Sequence, residues 1–148
     1  MEKIQQNTKT ELLTTDFWSV YRLDSWYFIQ WKDAGSEMND EEFMDHISSF
    51  AKLVETDGVN NRISGFVVDT RAYHYVMNLD VQKWHDDVIV PKYIASGITK
   101  IAFCLSGDLI RDLSIEQTFD EDKAQSGEIQ IQYFQDLRKA TAWVEGWK

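Results

Sequence analysis

Arg62–Asp69 reads RISGFVVD and Thr99–Leu105 reads TKIAFCL. Each contains an apolar run, Phe66-Val67-Val68 in one and Ile101-Ala102-Phe103-Cys104-Leu105 in the other, that does not alternate with polar residues. Strands buried on both faces look like this, and they belong to parallel sheets with helices packed on the faces. Between the two runs, Val81, Trp84, Val88, Pro91 and Ala95 mark an amphipathic helix, so the segment is a parallel β-α-β crossover. Asp80 is the expected N-cap of that helix, Leu79 and Trp84 its staple, and Gly97 its stop. Pro91 lies inside it and has no N–H for the Asp87 carbonyl, which predicts a kink.

Working outward, Phe17–Leu23 and Trp26–Lys32 are rich in aromatic and β-branched residues and flank Asp24-Ser25, a hairpin signal. Residues 39–55 repeat Phe43, Ile47, Phe50 and Val54 at helical spacing. Asn39 and Glu42 are placed as a capping box, Met38 and Phe43 as a staple, and Asp57-Gly58 as the end of the helix. On the C-terminal side, residues 108–123 read as a less regular helix with a restart at Ser114-x-x-Gln117. Glu128–Phe134 alternates as an edge strand does. Asp136 to Glu145 closes the chain as a helix with Leu137, Ala140, Val144 and Trp147 inward. The order β-β-α-β-α-β-α-β-α predicts an α/β fold: one mixed sheet, an N-terminal antiparallel hairpin joined to parallel strands, flanked by about four helices. Residues 1–13 are expected to be a frayed N-terminal segment, and residues 14–148 one α/β domain.

Composition excludes several classes. The chain has 148 residues and a net charge of -10, spread over both halves, which opposes binding to nucleic acid or an anionic membrane surface. No apolar run approaches the length of a membrane span, about 18 residues. A single cysteine, Cys104, rules out an internal disulfide or a cysteine-rich zinc site, and a reducing cytoplasm is the expected compartment. Neither a nucleophile elbow nor a phosphate-binding glycine loop occurs, and Cys104 falls mid-strand as a core thiol. Glu42 and His46, four apart, and His85 with Asp86 and Asp87 are too few for a metal centre, so neither metal nor cofactor is expected.

In open α/β sheets ligands sit beyond the carboxyl ends of the strands. That rule selects Asp69, Thr70, Arg71, Tyr73 and His74 after one strand, and Ser106 and Asp108 after the next, as candidate ligand- or partner-binding residues. The competing reading is structural: Asp69 pairs with Arg71, while Asp108 and Asp136 cap helices. A second candidate site is an apolar pocket near the kinked helix, lined by Trp84, Tyr93 and hairpin aromatics. The hairpin itself holds seven aromatics, Phe17, Trp18, Tyr21, Trp26, Tyr27, Phe28 and Trp31. One of its faces needs cover from the N-terminal segment, a ligand or a second copy in a homodimer.

The stretches RISGFVVDTRAYHY, DVQKWHDDVIVPKYIASG, TKIAFCLSGD and IQYFQDLRKATAWVEGW together resemble the SpoIIAA-like fold of the STAS (sulfate transporter and anti-sigma-factor antagonist) superfamily, over about residues 17–147. The resemblance implies a β-α superhelix in a cytoplasmic bacterial protein that works by binding. Regulatory members carry a phosphorylatable hydroxyl at the start of the helix after the third strand. Here that position reads Asn78-Leu79-Asp80-Val81, with no hydroxyl, and Thr70 at a strand end does not match the motif. The resemblance therefore implies a binding module without that switch.

Three functions follow as expectations. The first is a non-enzymatic binding or regulatory module using the Asp69–Asp108 rim, with Arg71 as an anion handle and His74 as a pH-sensitive group. The second is a binder of a small apolar or lipid-like molecule in the Trp84–Tyr93 pocket. The third is an enzyme drawing on Asp69 and His74.

Overall fold

The two apolar runs pair in parallel inside a six-stranded sheet whose strands lie in chain order. The structure is a computed structural model that describes residues 9–33, 38–73, 75–107, 109–118 and 127–146. Strands β1 (Thr10–Thr14), β2 (Trp18–Arg22) and β3 (Trp26–Trp31) form an antiparallel meander. From β3 the sheet turns parallel through β4 (Gly65–Asp69), β5 (Lys100–Cys104) and β6 (Gln130–Phe134). The mixed α/β sheet is thus the one the sequence predicts, with one strand more. Residues 10–13, expected to fray, belong to β1, which is irregular between Glu11 and Leu13 and packs Leu12 and Leu13 on the core.

Helices fill the crossovers. Helix α1 (Asp40–Leu53) starts with the expected capping box: Glu42 N–H donates to Asn39 Oδ1 at 2.8 Å, and Asn39 N–H donates to Glu42 Oε1 at 2.9 Å. It does not stop at Gly58. The chain winds through a π turn (Val54–Gly58) and on to residue 60, and breaks at Arg62, whose φ of 56° is left-handed. The second crossover joins α2 (Leu79–Trp84), a π turn (His85–Ile89) and α3 (Val90–Ala95). Pro91, in the first turn of α3, cannot donate. The helix accommodates it by widening, so that Val90 N–H reaches back to the His85 carbonyl. Asn78, not Asp80, caps this rod, accepting from Val81 N–H at 2.9 Å, because Asn78 is the last residue with extended backbone. Leu79 is 74% exposed and makes no staple. Helix α4 (Leu109–Thr118) runs unbroken past Ser114, and α5 (Leu137–Glu145) is capped by Asp136. Trp147 lies outside the described residues.

The two faces of the sheet are unequal. Trp18, Val20, Tyr27, Ile29, Trp31, Phe66, Val68, Ile101 and Phe103 point to the face covered by α1, the 79–95 rod and α4. Each large side chain buried there contributes roughly 1.5–3 kcal/mol. The opposite face gathers Leu23, Trp26, Val67 and Ala102 under α5, where Trp26 Nε1 donates to Glu145 at 3.1 Å. Most of the hairpin aromatics are therefore core. Tyr21 and Phe28, stacked at 6.1 Å, are half-buried beside α5. Among the described residues no helix is long and apolar enough to cross a membrane.

Candidate functional site

Parallel register brings Ile29, Val68 and Phe103 side by side near the carboxyl ends of β3, β4 and β5. Between this row and the helices lies a cavity of about 60 Å³. Aromatic rings build most of its wall. Trp31 lies 5.0 Å from Tyr73 and stacks on Phe43 at 6.1 Å, and Trp18 meets Phe50 edge-on at 6.2 Å. Tyr93, from α3, is wedged against Phe66 at 5.2 Å, Phe50 at 5.9 Å and His85 at 6.2 Å. Ile47, Met77 and Ile115 complete the lining from the helical side. Among the described residues no Lys, Arg, Asp or Glu contributes to it.

Besides the indole N–H groups of Trp18 and Trp31, the described lining residues that carry a polar side-chain group are Thr70, Tyr73, His85 and Tyr93. The Thr70 hydroxyl donates to the Cys104 carbonyl at 2.7 Å and so ties the ends of β4 and β5 together. Burial, with the neighbouring Tyr75 phenol, pushes Tyr73 well above the ordinary phenol range. Burial alone raises Tyr93. His85 enters from the π turn; burial holds its imidazole neutral down to about pH 4, against the weaker opposite pull of Asp86.

The loop between β4 and α2 is fastened to the start of α1. Tyr75 stacks on Phe43 at 4.5 Å and donates to Asp40 Oδ1 at 2.5 Å, and Asn78 Nδ2 donates to Asp40 Oδ2 at 2.8 Å. Asp40 thereby joins two helix starts. Sequence reading missed it, since an aspartate at the first helical position reads only as favourable for the helix dipole.

The candidate rim divides between the two faces of the sheet. Thr70 and Tyr73 belong to the cavity. Asp69 points to the α5 face, in register with Gln30 and Cys104. Arg71 Nε and Nη2 donate to its two carboxylate oxygens at 2.9 and 2.8 Å, the Arg71 N–H adds a bond at 3.1 Å, and Gln30 Nε2 one at 3.3 Å. Burial pushes the Asp69 carboxyl up, but the Arg71 and Gln30 bonds outweigh it and hold it below the usual carboxylate range. The guanidinium fork is thus engaged by its own neighbour. Ser106 is held by Asp112, which accepts from the Ser106 hydroxyl at 2.9 Å and from the Gly107 N–H at 3.0 Å. Asp112 is a second residue the sequence reading missed. His74 and Asp108 lie outside the described residues.

Of the predicted pocket residues, Tyr93 lines the cavity and Trp84 does not; Trp84 packs, half-buried, against the outside of the core. Cys104 is fully buried, and burial raises its thiol. Glu42 is engaged in the capping box. His46 lies between the Glu42 carbonyl and the Thr15 hydroxyl, 2.8 Å from each. Among the described residues no three His, Cys, Asp or Glu side chains converge as metal ligands. Comparison with protein-family models, with curated proteins and with solved structures finds no match to this chain.

Proposed function

We propose that the chain is a non-catalytic binding module that takes the uncharged end of a small apolar molecule into the cavity between the sheet and its larger helical layer. One observation carries the reading: a cavity at the carboxyl ends of parallel strands, walled by aromatic rings and, among the described residues, lined by no Lys, Arg, Asp or Glu. Small-molecule sites are concave, apolar and supplied with a few placed polar groups, and in open α/β folds they occur at this end of the sheet. The groups that chemistry would use are held in quiet forms. The Cys104 thiol and the Tyr73 and Tyr93 phenols are raised by burial, and Asp69 is paired with Arg71.

The rim then frames the site. With two nitrogens of its fork on Asp69, Arg71 braces the β4 end, and a place for Arg71 and Ser106 in binding would come second to the cavity. Kinship with the STAS superfamily is part of the proposal; the element order over residues 17–147 supports it. A cytoplasmic setting is proposed on the single buried thiol.

Titration with pentane, followed through the six tryptophan indole N–H resonances, tests the reading. Trp18 and Trp31 border the cavity and are expected to shift in a saturable way. Trp26 and Trp143, packed on the opposite face, are expected to stay in place. If none of the six moves, or all move together without saturation, the cavity is a packing gap and the reading fails.

A further inference from the structure

We infer that the Tyr93 hydroxyl is the polar anchor of the cavity, and that the ligand end seated against it carries one uncharged oxygen, as a ketone, aldehyde or alcohol does. The inference rests on the binding reading above and deepens it by naming the ligand's chemical class. Tyr93 is 2% exposed, lines the cavity, and its hydroxyl has no hydrogen-bond partner among the described residues. A buried phenol normally finds a partner, so a tyrosine that lines a cavity and has none among the described residues marks where one is to be supplied. Thr70 does not offer the same, since its hydroxyl is given to the Cys104 carbonyl.

Two further properties narrow the class. Among the described residues a carboxylate in this cavity would meet no cation, because no Lys or Arg of theirs lines it and burial keeps His85 neutral above about pH 4. Burying a charge without a partner is far more costly than burying a carbonyl that can accept a hydrogen bond. The volume, about 60 Å³, admits a group of about four to six water-sized atoms and not a long acyl chain. A short neutral oxygenated compound, or the neutral tip of a larger one, satisfies the walls, the size and the hydroxyl together.

Three probes of similar size test this on the wild-type chain and on Tyr93→Phe: butan-2-one, pentane and butyrate at pH 7, read by indole N–H shifts. Phenylalanine keeps the ring against Phe50 and Phe66 and removes only the hydroxyl, and the dispersion of the spectrum reports that the fold is kept. Butan-2-one is expected to bind the wild type and to lose about tenfold in affinity in the variant. Pentane is expected to bind both alike, and butyrate neither. Equal butan-2-one affinity in the two proteins, or butyrate binding as well as butan-2-one, overturns the assignment of Tyr93 while pentane binding leaves the cavity reading intact. If neither pentane nor butan-2-one perturbs Trp18 and Trp31, the cavity reading and this inference fall together.

Discussion

Asp57 shows how much one side chain can organise. Tyr27 is fully buried near the start of β3, and its hydroxyl donates to Asp57 Oδ2 at 2.7 Å. The other carboxylate oxygen receives Arg22 and, at 3.1 Å, Asn61 Nδ2. Burial and this bond together push the Tyr27 phenol far above its ordinary range. Gly58 completes the dock, because a Cβ there would stand 3.1 Å from the Tyr27 hydroxyl oxygen. Asp57→Ala leaves a buried phenol and a half-buried guanidinium without their acceptor, and is expected to cost about 2–3 kcal/mol. Urea denaturation measures it, and the loss should shrink when Tyr27→Phe is already present, since that change removes one of the two orphaned donors. A shift below about 0.5 kcal/mol, the range of an ordinary surface change, would show that the dock does not hold β3 to α1. In the sequence Asp57-Gly58 reads as a helix stop. The dipeptide is a turn signal by composition, and only the tyrosine 30 positions earlier shows that it serves packing instead.

At the scale of elements, the strongest patterns were legible and the exceptions have local causes. The central strands, the α1 capping box and the edge character of β6 follow from period and apolar content, which tertiary packing here reinforces. Strand β1 was hidden because Thr10–Thr14 holds only two apolar residues, adjacent and half-buried, so neither parity stands out. The 79–95 rod was legible as a helix with a break, but its cap was misplaced by two residues because Asn78 and Asp80 are equally good caps by composition. Glycine 65 is the element-scale feature that composition could not show. It opens β4 in register with Lys100, and a Cβ there would sit 2.8 Å from the Lys100 carbonyl oxygen and 3.3 Å from the Val144 side chain. Both obstacles are fixed, one by the sheet and the other by α5. Gly65→Ala is therefore expected to destabilise by roughly 1–3 kcal/mol through overpacking, with β4, β5 and α5 displaced together. Native-state hydrogen exchange should show protection falling first along β4–β5 and α5. A variant as stable as the wild type would mean that the strands part at no cost.

The whole molecule joins the two faces of the sheet through the residues around β4, and its response to acid should reveal each face separately. Part of the cavity lining was legible: the strand-end rule selected Thr70 and Tyr73, and the expected pocket beside the kinked helix included Tyr93. The rule could not show on which side of the sheet each side chain would fall, nor that the π turn would place His85 in the cavity. That placement has a thermodynamic consequence. The folded-state imidazole titrates at about 4 and the unfolded one near 6.5, so the unfolded chain takes up this proton first as the pH falls. The stability tied to neutral His85 is complete above pH 6.5 and is lost between 6.5 and 4, a fall of about 3 kcal/mol. Asp69, held below its ordinary value of 3.8 chiefly by Arg71 against the opposing effect of burial, behaves differently. Its contribution is intact above that value and is lost only at lower pH. Acid should therefore loosen the cavity face before the α5 face. Denaturant midpoints measured from pH 7.5 to 3 are expected to slope through the upper window, and His85→Phe should flatten that slope while leaving the steepening below pH 4. Asp69→Asn should do the reverse. A wild-type stability that stays level between pH 6.5 and 4.5 would show that the His85 imidazole is not held neutral by the core.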